Sequence, residues 1–340
     1  MRKYLLLTAC ALLLLPDLRG RAQVEVPFRG GVEVVNVTVT VTDPGGEFLG
    51  DLTRDDFAVY EDGQPQPLTE FSAERVPVSL GLLLDASSSM NMGRMRVARA
   101  AVDRLATSLL HPDDELFLVA FSTTARLLQP WTTDRRQLRQ ALEEMDPGGA
   151  TALLDALADS LPLATEGRHA KKVLLLLSDG NDTASNVPER VLRERLRDTD
   201  VLVYALGIDS SSSPGARLRA PGRRAPFPVP LPFPGGGPRR RLPFPQITGQ
   251  QGRPWQGNRA PSVDADALRR LTDDTGGRTE ILRDIGELDA AVSQLADELS
   301  RQYFLAYERP ATSGAGWHDI RVEVHRRGAI VRARRGYRAS

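Results

Sequence analysis

Three short stretches place oxygen-bearing side chains where apolar runs stop. In LLLDASSSM (82–90) the run ends at Asp85, and Ser87, Ser88 and Ser89 follow. In DPGGAT (146–151) two glycines lead into Thr151. In VLLLLSDGND (173–182) a second apolar run ends at Ser178 and Asp179. The donors on offer, Asp85, Ser87, Ser89, Thr151 and Asp179, are all hard oxygens. No histidine lies in these stretches, and the single cysteine of the chain is Cys10. Such a set suits Mg²⁺, Mn²⁺ or Ca²⁺ and suits zinc poorly.

Each piece has a plainer reading when taken singly. An Asp, Ser or Thr between a strand and a helix commonly caps the helix, because the first backbone N–H groups lack partners there. An SDG tripeptide after a strand is an ordinary turn. The three carry weight together only if the fold brings them to one place.

The surrounding elements predict that it does. PVSLGLLLD, KKVLLLLSD and VLVYALGID have almost no polar face, as strands covered on both sides require. Between them lie helical patterns, including a stripe of Ala98, Ala101, Val102, Leu105 and Leu109. ELFLVAFS and RLLQPW read as a hairpin, and Asp134 as the N-cap of a helix. Alternating strands and helices imply an α/β fold, with a doubly wound and mainly parallel sheet. Ligands of such sheets bind outside the carboxyl ends of the strands. All three oxygen-rich stretches fall on that edge.

The flanks follow a different period. In VEVVNVTVTVTD, Val35, Val37, Val39 and Val41 alternate with polar residues, which gives a half-buried strand. DFAVYEDGQPQPLTEF adds two strands about an Asp62-Gly63 turn, and QYFLAYERP and HDIRVEVHRRGAIVRARRGY close the chain in the same manner. Two strands alone are marginal, so the ends are expected to pair into an accessory β-sandwich. The expected organisation is a signal peptide over 1–22, a β-rich segment over 23–76, an α/β domain over 77–302 and a final β segment over 303–340.

Residues 211–262 break the α/β rhythm with twelve prolines, nine arginines and no acidic residue. Such a composition cannot build a core and is expected to form a disordered insertion, able to dock an acidic or aromatic-lined partner.

Overall charge points to neither nucleic acid nor anionic membrane, since 44 Lys and Arg balance 44 Asp and Glu. Arg2 and Lys3, the apolar run from Tyr4 to Leu15 and the small residues near Ala22 read as a secretory signal, so an exported protein is expected. Anchoring through Cys10 by lipidation is the less favoured alternative. No apolar run reaches the length of a membrane-spanning helix.

DASSS at 85–89, GGAT at 148–151 and SDG at 178–180 resemble the metal-ion-dependent adhesion site of the von Willebrand factor type A domain. The resemblance covers roughly 77–302, and the flanks look like those of a group of secreted bacterial proteins that carry this domain. It implies that Ser87 and Ser89 bind the ion directly. Thr151 would do so directly or through water, and Asp85 and Asp179 mostly through water or supporting hydrogen bonds. Three neutral hydroxyls donate little charge, so an octahedral ion with about six oxygens at roughly 2.0–2.1 Å stays electrophilic at its open position. The function implied is a protein-binding, adhesion-type module that takes a carboxylate from its partner.

The alternatives are a metal-dependent hydrolase and a scaffold in which the metal only knits loops. A hydrolase needs a placed base or nucleophile. His111 and His169 belong to the opposite edge of the sheet, and His318 and His325 to the β-rich tail, where all four read as surface residues. Asp182, the one extra carboxylate near the loops, reads as part of a turn.

Overall fold

The computed structural model describes residues 32–209, 263–310 and 314–339. The expected signal peptide, Cys10 and the insertion at 211–262 lie outside the described residues. Two bodies are built, one on each hydrophobic period found in the sequence.

The first is the α/β body. The apolar runs form β5 (Val78–Asp85), β6 (Glu115–Phe121), β8 (Lys171–Ser178) and β9 (Leu202–Ile208), and nearly every residue in them is buried. With β7 (Ala125–Thr132) and β10 (Thr279–Leu282) they make one sheet ordered β10-β9-β8-β5-β6-β7. All neighbours are parallel except β6 and β7, which form the expected hairpin. One face is covered by α1 (Met92–Arg104), α2 (Arg135–Glu143) and α6 (Leu288–Arg301), through side chains such as Met95, Leu138 and Leu295. The other is covered by α3 (Leu153–Thr165), α4 (Glu189–Arg197) and α5 (Ala265–Thr272), through Leu157, Leu192 and Leu268.

After β5 the chain first adds β6 on one side and later β8 on the other. The carboxyl ends of β5 and β8 therefore flank the point where the winding direction switches, which is where open α/β sheets bind ligands.

The second body is a β-sandwich made from both ends of the described chain. One sheet is β13-β1-β11-β4, built from β1 (Val32–Thr42), β4 (Leu68–Ser72), β11 (Tyr303–Pro310) and β13 (Ile330–Arg332). The other is β14-β12-β2-β3, built from β2 (Phe57–Glu61), β3 (Gln64–Gln66), β12 (Gly316–Val324) and β14 (Gly336–Ala339). Val35, Val37, Val39 and Val41 face the shared core with Tyr303, Leu305 and Tyr307. The antiparallel register runs from Val32 opposite Pro310 to Val39 opposite Tyr303.

The sandwich seats on the amino-end side of the sheet. Arg334 donates to the Thr199 carbonyl just before β9, Arg332 to the Gly276 carbonyl before β10, and Arg338 pairs with Asp198. The opposite, carboxyl-end side is left to the loops.

His318 departs from the sequence expectation. It is buried on β12, with Nδ1 2.7 Å from Asp62 Oδ2 and its ring stacked on Tyr337. The inward phase of β12 includes both His318 and Ile320, and the Asp62 turn folds back to meet the ring. Glu61 beside it accepts from the Tyr307 and Tyr337 hydroxyls at 2.5 and 3.0 Å.

Candidate metal centre

Asp85 is the last residue of β5 and is completely buried. Its Oδ1 accepts the backbone N–H of Ser87 at 2.7 Å, which tightens the turn and swings the serines back over the strand end. Its Oδ2 accepts from Ser178 Oγ at 2.5 Å, the residue beside it on β8. Burial raises the Asp85 carboxyl above its usual range, and the hydrogen bonds from Ser178 and Ser87 oppose that shift.

Ser87 is buried, and Ser89 opens to solvent. Their hydroxyl oxygens are 2.9 Å apart. Ser89 Oγ donates to Asp179 Oδ1 at 2.6 Å, so the first and third stretches meet directly.

The second stretch arrives through the Gly148-Gly149 turn. Gly148 N–H donates to the Ala86 carbonyl at 2.7 Å, and Ser88 N–H to the Gly149 carbonyl at 3.0 Å. Gly149 has φ +87°, and an added Cβ would stand 2.7 Å from Thr123 Oγ1, so only glycine turns the chain here without strain. Thr151 follows and is buried. A Cβ built on Gly180 would stand 3.5 Å from Thr151 Oγ1 and 3.7 Å from Ser89 Oγ, which puts both hydroxyls against one point of the third stretch.

The helix ends beside the cluster are capped by other residues. Asn91 Oδ1 accepts from Gly93 and Arg94 N–H at 3.0 and 3.1 Å and caps α1. Asp182 Oδ1 accepts from Leu153 N–H at 2.8 Å and so caps α3 from another loop. Neither role falls to Asp85, Ser87, Ser89 or Thr151. Asp182, expected as a turn residue, is better described as this cap.

One member was not anticipated. Arg94, in the first turn of α1, donates from Nη1 to Asp179 Oδ2 at 2.5 Å and to the Ser89 carbonyl at 3.2 Å. The sequence offered a signal in the spacing only: an arginine one helical turn past DASSS can reach back over the turn N-terminal to it.

The five oxygen-bearing side chains thus converge from three loops at one sheet edge. Three hydroxyls and two carboxylates, without nitrogen or sulfur donors, fit a hard divalent cation. His111 and His169 sit at the far edge: His169 N–H bonds Ser79 Oγ near the start of β5, and His111 N–H bonds Asp114 just before β6.

Residues 80–181 match the family model of the von Willebrand factor type A domain, and that stretch of the chain is such a domain. Domains of this type commonly serve as protein-interaction modules and generally do not act as enzymes. An uncharacterised protein of Borreliella burgdorferi is 28% identical over 102 residues, which span 29% of this chain and 30% of that protein. Among solved structures, the von Willebrand factor type A protein from Catenulispora acidiphila is 15% identical, with 81% of this chain and 71% of that one covered and a TM-score of 0.46. Proximal thread matrix protein 1 from the mussel byssus, with a zinc-occupied MIDAS motif, is 14% identical, with 71% and 50% covered and a TM-score of 0.49. The conserved hypothetical protein BatB from Bacteroides thetaiotaomicron is 18% identical, with 65% and 98% covered and a TM-score of 0.45. No helix among the described residues is long and apolar enough to cross a membrane.

Proposed function

We propose that this protein is an exported adhesion-type module. It would hold a divalent cation, Mg²⁺ foremost with Mn²⁺ or Ca²⁺ as alternatives, through Asp85, Ser87, Ser89, Thr151 and Asp179, and would bind a carboxylate of a protein partner there. The observation that carries the reading is the capping pattern. Asn91 and Asp182 satisfy the ends of α1 and α3, so the hydroxyls and carboxylates gathered between them are not spent on those helix ends.

Within that reading the roles divide by charge. Ser87, Ser89 and Thr151 supply neutral oxygens. Asp85, fixed by Ser178 and the Ser87 N–H, and Asp179, fixed by Ser89, hold the hydroxyls in place and supply negative charge. When bound, a cation of this kind would supply Lewis acidity toward a partner's carboxylate. Ser89 is the exposed member of the set and marks the side from which a partner would approach. The proline- and arginine-rich insertion leaves the described chain after β9, on this same edge. It rejoins beside Asp264, whose N–H donates to Asn181 Oδ1 at 2.5 Å. Its nine arginines would add attraction for an acidic partner.

The test is a pull-down from the native cell surface with immobilised protein in Mg²⁺, Ca²⁺ or EDTA, repeated with Asp179→Ala and Ser87→Ala. Capture that needs a divalent cation and disappears in both variants, with the circular-dichroism spectrum kept, is expected. Mg²⁺ that raises the melting temperature while capture ignores EDTA would assign the metal a purely structural part.

A further inference from the structure

Arg94 is the one feature of the centre that works against a cation. Its guanidinium touches Asp179, whose side chain has no solvent exposure, while 22% of the Arg94 side chain remains exposed. The two oxygens of Asp179 are divided: Oδ1 accepts from Ser89 and Oδ2 from Arg94. No other Lys or Arg among the described residues hydrogen-bonds any of the five side chains in this structure.

The position is not one that helix stability would choose. Arg94 lies in the first turn of α1, where the positive end of the helix dipole makes a cation unfavourable, and that turn holds no acidic residue. Asn91 fixes its backbone by accepting its N–H. The guanidinium is therefore aimed at Asp179 from a rigid base, and the contact with a buried carboxylate offsets its poor place on the helix.

Resting on the metal reading above, we infer that Arg94 is a tethered competitor that sets the divalent-cation affinity of this centre. It shares the carboxylate of Asp179 with any cation held by the neighbouring hydroxyls. It also fixes a positive charge within a few ångströms of them, and like charges at that range in a partly buried site repel strongly. The chain thus holds its affinity below what the five oxygen donors would otherwise give. Cation binding, and with it partner binding, then responds to divalent concentration instead of being permanently saturated.

The experiment is isothermal titration of the full chain with MgCl₂ at fixed ionic strength, for wild type, Arg94→Met, Arg94→Gln and Arg94→Lys. The neutral variants are expected to bind Mg²⁺ at least about tenfold more tightly than wild type, while Arg94→Lys stays close to it. Tighter binding by the neutral variants supports the inference even if wild type shows no measurable uptake. Unchanged or weaker binding by folded Arg94→Gln, beside a wild type that binds, overturns it and leaves the metal reading intact: Arg94 would then simply position Asp179. Absence of Mg²⁺ binding in wild type and all variants overturns both. Arg94→Gln keeps a hydrogen-bond donor, and so serves if Arg94→Met does not fold.

Discussion

Glu298→Gln tests the joint between the two bodies. Glu298 lies on α6 and is 2% exposed. Its Oε1 accepts from Tyr204 OH at 2.6 Å on β9, from Thr40 Oγ1 at 3.3 Å on β1, and from Arg332 on β13. Its Oε2 pairs with Arg278 at 2.9 Å. Gln302 closes the ring by donating to Thr40 Oγ1 and Tyr204 OH at 2.9 and 2.8 Å. Every group facing the carboxylate is a donor, so an acceptor-only side chain is the natural centre. Glutamine would turn one oxygen into a donor against donors, leave Arg332 without a counter-charge and leave Arg278 with Glu280 alone. Removing one partner of a buried ion pair costs about 3–5 kcal/mol. Both arginine side chains are roughly 30% exposed, which places the expected loss near the lower end, at about 3 kcal/mol. At about 2.1 cal/mol/K of unfolding entropy per residue, that is a fall of roughly 4–6 °C in Tm for a chain of this size if unfolding is two-state. Urea unfolding followed by far- and near-ultraviolet circular dichroism measures it. Because the network reaches from β1 and β13 to β9, the two transitions should coincide in wild type and separate in the variant as the sandwich loosens. A loss below about 1 kcal/mol with coincident transitions would refute the reasoning, and would mean that water satisfies these groups.

Two further outcomes are expected. Lys171 is 2% exposed, and its ammonium donates to the Leu299 carbonyl; burial, with Arg75 adding to it, pushes its pKa from 10.5 down to about 7. The unfolded chain then binds more protons than the folded one between about pH 7 and 10.5, so this group makes stability rise with pH across that window. Lys171→Met should flatten the rise and be more stable than wild type at pH 7 by about 3 kcal/mol, after allowing for the lost hydrogen bond; urea midpoints at pH 7 and 9.5 check both. Gly149→Ala forces an L side chain into φ +87° against Thr123 and should cost about 1–2 kcal/mol. By displacing Thr151 it should also weaken Mg²⁺ uptake, which titration against Gly148→Ala, where no neighbour stands within 4 Å of an added Cβ, will reveal.

Local pattern carried most of the architecture. Unbroken apolar runs identified β5, β8 and β9 as strands covered on both faces, and the alternation of Val35 to Val41 marked β1 as one wall of a two-layered body. These are statements about period, which a window of ten residues contains. The joint was not legible, because Thr40, Tyr204, Glu298 and Arg332 lie far apart in sequence and each looks ordinary where it stands. His318 was misjudged for the same reason: the Asp62 turn that buries it is 256 residues away.

The centre itself shows where residue type stops being informative. DASSS and GGAT have the composition of helix caps, and sequence offers no means to tell a cap from a ligand, since both are short side chains with a free oxygen. What separates them is whether another residue satisfies the helix end. Here that residue is Asn91 for α1, two positions past Ser89, and Asp182 for α3, supplied from the loop after β8. The asparagine could be seen; the aspartate acts across 29 residues and could not. The sandwich completes the logic from the other side. By joining both ends of the described chain at the amino-end edge of the sheet, it leaves the carboxyl-end loops clear of the sandwich. Those are the loops in which the oxygens gather and Arg94 turns back toward Asp179.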